Sequence, residues 1–160
     1  LKLSKLYSNT VHFIKKEVSL DEIVTSSIKN VSPLCDLKNI TIIKNLEPGI
    51  KINCDLNWQV EAITNILKNC VEHSKENSKI DITTATNKVY HSIKIRDYGT
   101  GISKKDLPHI FERFYKGTGG SANSIGIGLS LAQKIIESND GLINVETGPD
   151  GTTFTIKYLI

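Results

Sequence analysis

The chain has 160 residues, 39% hydrophobic and 23% charged, with a net charge of +3. That length suits one domain with a core of its own, and the composition is that of an ordinary soluble globular protein. No apolar run approaches the roughly 18 residues a spanning helix needs, and a mild charge with no basic stripe and 6% aromatics speaks against nucleic-acid binding.

Leu1 to Asn9 reads as a helix stub that continues an element upstream, and Val11 to Val18 as extended chain. Ser19 with Glu22 forms a capping box ahead of Ile23, Val24, Ile28 and Val31 at helical spacing, and Pro33 ends or kinks that helix. Ile40–Ile43 and Ile50–Ile52 read as short strands either side of a Glu47-Pro48-Gly49 turn. Asp55 is the N-cap of a second helix running to about Ser74. Ile80 and Ile82 mark one strand, and Val89, His91, Ile93 and Ile95 alternate in the next.

A long connection, Asp97 to Ile125, is rich in Gly, Ser and Lys, the composition of a lid or binding loop. A third helix spans about Gly126 to Ser138 and stops at Asp140-Gly141. Two strands, Leu142–Thr147 and Thr153–Leu159, close the chain around Gly148-Pro149-Asp150-Gly151. Strands gathered around three helices indicate an α+β fold, a two-layer sandwich with a mixed, mostly antiparallel sheet. Cys35, Cys54 and Cys70 are odd in number and form no CxxC pair, so they read as reduced thiols, with Cys70 a small core residue.

Three patterns carry chemistry. Glu61, Asn65, Asn69 and His73 recur every four residues and make a polar stripe along the second helix, opposite Ile63, Ile66, Leu67 and Cys70. Asparagine gains nothing there from helix propensity; the stripe is either a solvated face or a set of neutral oxygen ligands suited to phosphate-bound Mg²⁺. Asp97-Tyr98-Gly99-Thr100-Gly101 follows a strand, and places a carboxylate able to accept from an exocyclic amine beside glycines that admit a ligand closely. Ser124-Ile125-Gly126-Ile127-Gly128-Leu129 opens the third helix, where exposed backbone N–H groups favour phosphate, although it is neither a Walker loop nor a dinucleotide fingerprint. Each pattern alone is also compatible with a solvated face, a plain turn or glycine packing.

In order, Asn65/Asn69, Asp97-x-Gly-x-Gly, Phe111-Glu112-Arg113-Phe114, Gly126-x-Gly128 and Gly151-Thr152 are similar to the N, G1, F, G2 and G3 boxes of the histidine kinase catalytic domain. That domain belongs to the superfamily of gyrase, heat-shock chaperone and mismatch-repair ATPases, and the resemblance runs from about Val11 to Ile160. It implies a Bergerat-type ATP-binding fold holding ATP and Mg²⁺. By the family's pattern Asp97 binds the adenine amine with Thr152 in support, and Gly99, Gly101 and Ile102 wall the pocket. Asn69 ligates Mg²⁺, Asn65 sits beside the phosphates, and Gly126, Gly128 and Leu129 present backbone donors to them. His73 falls where relatives place a ring against adenine; Phe111 and Phe114 anchor the lid; Lys116, Arg113 and Lys68 are candidate phosphate contacts.

The resemblance also implies what this chain does not do alone. Asn65 stands where water-activating relatives carry a glutamate, which favours transfer to a protein acceptor over hydrolysis. The four histidines precede Phe13, Ser74, Ser92 and Ile110, so none fits the acceptor box, which needs a following acidic residue. Residues 1–10 resemble the end of a dimerisation helix, and residues 11–160 the catalytic domain. The expected partners are a dimerisation and phospho-acceptor domain and the receiver domain of a response regulator, with no nucleic acid and no membrane contact by this fragment. The expected setting is the cytoplasmic side of a membrane-anchored parent. Glu72 departs from the family, which often has Lys or Arg there; another cation substitutes or nucleotide affinity is modest. An anti-sigma-type serine/threonine kinase and an inert nucleotide-binding module are the rival readings.

Overall fold

A computed structural model describes residues 2–8, 11–115 and 128–160. In chain order the elements are α1 (Lys2–Tyr7), β1 (Lys16–Ser19), α2 (Leu20–Lys38), β2 (Thr41–Asn45), β3 (Lys51–Cys54) and α3 (Leu56–His73). There follow β4 (Lys79–Thr86), β5 (Tyr90–Asp97), a 3₁₀ turn (Leu107–His109), α4 (Gly128–Ser138), β6 (Gly141–Gly148) and β7 (Gly151–Leu159).

Five strands form one sheet in the order β2-β4-β5-β7-β6, and β1 pairs with β3 in a separate two-stranded sheet. β2 runs parallel to β4, while the other neighbours in the large sheet are antiparallel. The expected mixed, mostly antiparallel sheet is therefore present. Alternation along β4, β5 and β7 turns Ile80, Ile82, Ile93, Ile95, Phe154 and Ile156 to one face, all fully buried. Against that face lie α2, α3 and α4 with Ile23, Val24, Ile63, Ile66, Leu67, Ile135 and Ile136. Each such side chain contributes roughly 1.5–3 kcal/mol by leaving water. The structure is the two-layer α+β sandwich expected.

Several local expectations are corrected. α2 does not end at Pro33 but runs on to Lys38. Pro33 and Lys29, the residue whose carbonyl it leaves without a donor, are both exposed, so water can satisfy that carbonyl. Buried Val31 and Cys35 hold the helix to the core on either side. It stops instead at Asn39, left-handed at φ 53°, where Ile40 N–H donates to the Cys35 carbonyl at 2.9 Å. Ser19 is the N-cap of α2 by backbone geometry, yet its side chain makes no capping hydrogen bond. Asp55 does cap α3, accepting from Trp58 N–H at 3.3 Å, and also accepts from Ile14 N–H at 2.8 Å.

Candidate functional site

The site forms where the C-terminal end of β5 meets α3 and the β6–β7 hairpin. Asp97 closes β5 with its side chain on the buried face, 1% exposed. Its Oδ1 accepts from Gly99 N–H at 3.0 Å and from Thr152 N–H at 3.2 Å. Burial pushes the Asp97 carboxyl above its ordinary range, and the two amides, nearby His73 and the Cys70 thiol oppose that rise. Cys70 is itself fully buried, and its thiol is driven well up by burial and by the Asp97 charge.

The loop after Asp97 is pressed against two neighbours. A Cβ on Gly99 would stand 2.1 Å from the His73 carbonyl oxygen, so only glycine lets the loop lie on the end of α3. Gly101 has φ +83°, and a Cβ there would stand 2.1 Å from the Gly148 carbonyl oxygen. Ile102 N–H donates to Thr147 Oγ1 at 2.7 Å, and Thr147 Oγ1 lies 2.9 Å from Thr152 Oγ1. Lys38, from the end of α2, fixes the other side of the same junction. Its ammonium donates to the carbonyls of Val71 (3.0 Å), Glu72 (2.8 Å) and Ser74 (3.0 Å), at the negative end of the α3 dipole.

The polar stripe of α3 runs from this junction back along the helix. Asn65, Asn69 and His73 are all half-buried. At 1.5 Å per residue, His73 and Asn65 are about 12 Å apart along the axis. His73 marks the Asp97 end. Asn65 marks the other: a Cβ on Gly128, the first residue of α4, would come within 3.9 Å of the Asn65 side chain. The described start of α4, with Leu129 buried, therefore stands beside Asn65. Among the described residues, neither Asn65 nor Asn69 has a side-chain hydrogen-bond partner, and no group of three or more His, Cys, Asp or Glu could hold a metal ion. Neutral amide oxygens outside any acidic cluster suit a divalent cation that brings phosphate oxygens with it.

Most residues picked out from the sequence thus converge: Asp97, Gly99, Gly101, Ile102 and Thr152 at one end, Asn69 midway, Asn65, Gly128 and Leu129 at the other. Lys116 and Gly126 lie outside the described residues. Phe111 packs against the core, whereas Phe114, at φ +69°, is turned out and 65% exposed. Phe114 is therefore no ordinary core aromatic. Arg113 is stacked on carbon rather than free: its guanidinium lies 4.8 Å from the Tyr7 ring centroid and 5.3 Å from that of Phe114. Lys68 is exposed. The stub packs on the domain after all, with Leu6 buried and the Tyr7 and Ser130 hydroxyls 2.8 Å apart.

Two contributors escaped the sequence reading. Thr147 faces Thr152 across the β6–β7 ladder, a pairing that follows from the two-residue hairpin loop at Pro149-Asp150. Lys38 carries no local signal, because its partners are backbone carbonyls more than thirty residues away.

Comparison with known proteins identifies the family. Residues 54–159 match the family described as histidine kinase-, DNA gyrase B- and HSP90-like ATPases. Sensor histidine kinase GraS of Staphylococcus haemolyticus is 32% identical over 99% of this chain and 46% of its own length. Heme sensor protein HssS of Staphylococcus saprophyticus is 31% identical over 89% of the chain and 31% of its own length. The chain thus spans less than half the length of these curated relatives. In fold it is similar to Acinetobacter baumannii histidine kinase AdeS, with a TM-score of 0.82 at 20% identity, over 99% of this chain and 73% of that one. The catalytic domain of histidine kinase ThkA superposes with a TM-score of 0.81 at 23% identity, over 93% of this chain and 96% of that one. The chain belongs to the histidine kinase-, DNA gyrase B- and HSP90-like ATPase family, as an ATP-binding catalytic domain of the histidine kinase type.

Proposed function

We propose that the chain binds Mg·ATP between Asp97 and the N-terminus of α4 and donates its γ-phosphate to a histidine on a dimerisation domain, for relay to a response regulator. The observation that carries this reading is Asp97: a buried carboxylate whose Oδ1 is occupied by two backbone amides, in a loop that lies against the end of α3. A carboxylate so held accepts from the adenine amine with its remaining capacity. Thr152 supports it, Gly99, Gly101 and Ile102 wall the base, and His73 lies against the ring.

Asn69 would hold Mg²⁺ and Asn65 would lie beside the phosphates, about 12 Å from the adenine end. Bound Mg²⁺ supplies charge neutralisation on the phosphate oxygens. Gly128 and Leu129 would direct N–H groups at those oxygens, and Phe111 and Phe114 would anchor the lid; Gly126 and Lys116, expected to join them, lie outside the described residues. The acceptor imidazole nitrogen attacks the γ-phosphorus in line, the bond to the bridging oxygen breaks, and ADP leaves. The residues of this chain position and neutralise; none becomes covalently modified.

On this reading residues 2–7 are the end of the helix from the acceptor domain, the catalytic domain begins near residue 11, and both lie on the cytoplasmic side of a membrane-anchored parent. Among the described residues no helix is long and apolar enough to cross a membrane. The test is incubation with Mg·[γ-³²P]ATP, with and without a separately produced dimerisation domain. Acid-labile, base-stable label on that domain, and none on this chain, is expected. Stable label on this chain alone sinks the proposal.

A further inference from the structure

Thr147 belongs to none of the five sequence boxes, yet it joins two walls of the site. It is the cross-strand partner of Thr152, so the two side chains share the helix-facing side of the sheet. Its Oγ1 accepts from Ile102 N–H at 2.7 Å and stands 2.9 Å from Thr152 Oγ1. Thr152 in turn sends its backbone N–H to Asp97 Oδ1 at 3.2 Å. One hydroxyl therefore ties the loop after Asp97 to the strand that holds Asp97 in place.

The proton count in this trio decides what the pocket presents. A threonine hydroxyl has one proton to give and two lone pairs to receive. Among the described residues, Thr152 Oγ1 is the acceptor within reach of the Thr147 proton. If Thr147 donates there, Thr147 is satisfied both as acceptor, from Ile102, and as donor. The Thr152 proton is then unspent, in a residue 3% exposed whose backbone is bonded to Asp97. An unspent proton at so buried a site seeks a ligand acceptor.

We propose that Thr147 is a positioning and specificity-determining residue of the nucleotide site. Its hydroxyl, pinned by the Ile102 amide, donates to Thr152 and so makes the Thr152 hydroxyl a donor beside the Asp97 acceptor. Acceptor and donor side by side match the amine and the adjacent ring nitrogen N1 of adenine. They mismatch hypoxanthine, which offers a carbonyl and an N1–H in those places. The proposal rests on the nucleotide reading of this site.

The experiment compares ATP and ITP binding, by competition with a fluorescent nucleotide, in the wild-type chain, Thr147→Val, Thr147→Ser and Thr152→Val. The ratio of the two affinities cancels any loss of folded protein. Thr147→Val should narrow the preference for ATP over ITP by about tenfold, Thr147→Ser should restore it, and Thr152→Val should match Thr147→Val. The double valine variant should narrow it no further, since both changes break one chain of bonds. Wild-type binding of ATP with an unchanged ratio in Thr147→Val and Thr152→Val overturns the role of Thr147 alone. Failure of the wild-type chain to bind ATP overturns the nucleotide site itself, and this role with it.

Discussion

The carbonyl oxygen of His73 and the α-carbon of Gly99 are packed so closely that no side chain fits between them: a Cβ on Gly99 would stand 2.1 Å from that oxygen. The contact seats the loop carrying Asp97 on the last turn of α3, and couples the proposed adenine end of the site to the helix that bears Asn65 and Asn69. Gly99→Ala must push the loop off the helix. Overpacking against backbone costs roughly 1–3 kcal/mol, which for a domain of this size lowers the melting temperature by roughly 2–12 °C. ATP affinity should fall with it. Calorimetric unfolding with and without nucleotide checks both effects.

Lys38 is the counterpart of that contact on the far side of α3. Its ammonium ties together the carbonyls of Val71, Glu72 and Ser74. Lys38→Met keeps the stem and removes the three charge-assisted bonds. A loss of roughly 1.5–3 kcal/mol in stability is expected by urea unfolding, together with weaker ATP binding. Unchanged stability would mean that water replaces the lysine without cost.

Burial raises the pKa of Asp97, so the ionised form, proposed to accept from adenine, is lost at a higher pH than an exposed aspartate, near 3.9, would allow. ATP affinity should therefore decline on acidification before ordinary carboxylates titrate. The stability effect has the opposite sign. A carboxyl whose folded pKa lies above its unfolded value binds its proton more tightly when folded, so Asp97 itself adds stability as pH falls through that window and removes it above. Affinity and melting temperature measured over the same pH series should diverge, and Asp97→Asn should remove both trends.

The three thiols are all buried, and Cys54 is raised to about 11 by burial and by Asp55, with Lys15 opposing. Cys35 and Cys70 are raised as well, chiefly by burial. At pH 8 the native chain should react negligibly with a thiol reagent such as DTNB and release three equivalents once unfolded in guanidinium. Rapid native reaction at one cysteine would show local opening there.

What was legible in the sequence was what depends on local chemistry. Asp55 as an N-cap, the alternation of Ile80 with Ile82 and of Ile93 with Ile95, and the Asp97-x-Gly-x-Gly turn all have short-range causes. Pro33 does not end α2, because its cost depends on whether its ring and the carbonyl it orphans face water, and both lie on the exposed side of the helix. Ser19 misled because the right residue type at the right spacing need not make the bond. Lys38 and Thr147 were invisible for a third reason: their partners are distant in sequence and meet them only after α2 packs on α3 and β6 pairs with β7. The exposure of Phe114, at φ 69°, needed the backbone, since residue type alone does not show which way the ring turns.

The most direct test is calorimetric titration of the wild-type chain and Asp97→Asn with Mg·ATP. An asparagine can still receive the Gly99 and Thr152 amides through its oxygen, but it then turns an N–H₂ toward the adenine amine, donor against donor. The account predicts saturable binding by the wild type and a loss of roughly 2–3 kcal/mol in the variant, about 30- to 150-fold in affinity, with the fold intact. Equal binding by the two proteins would contradict it.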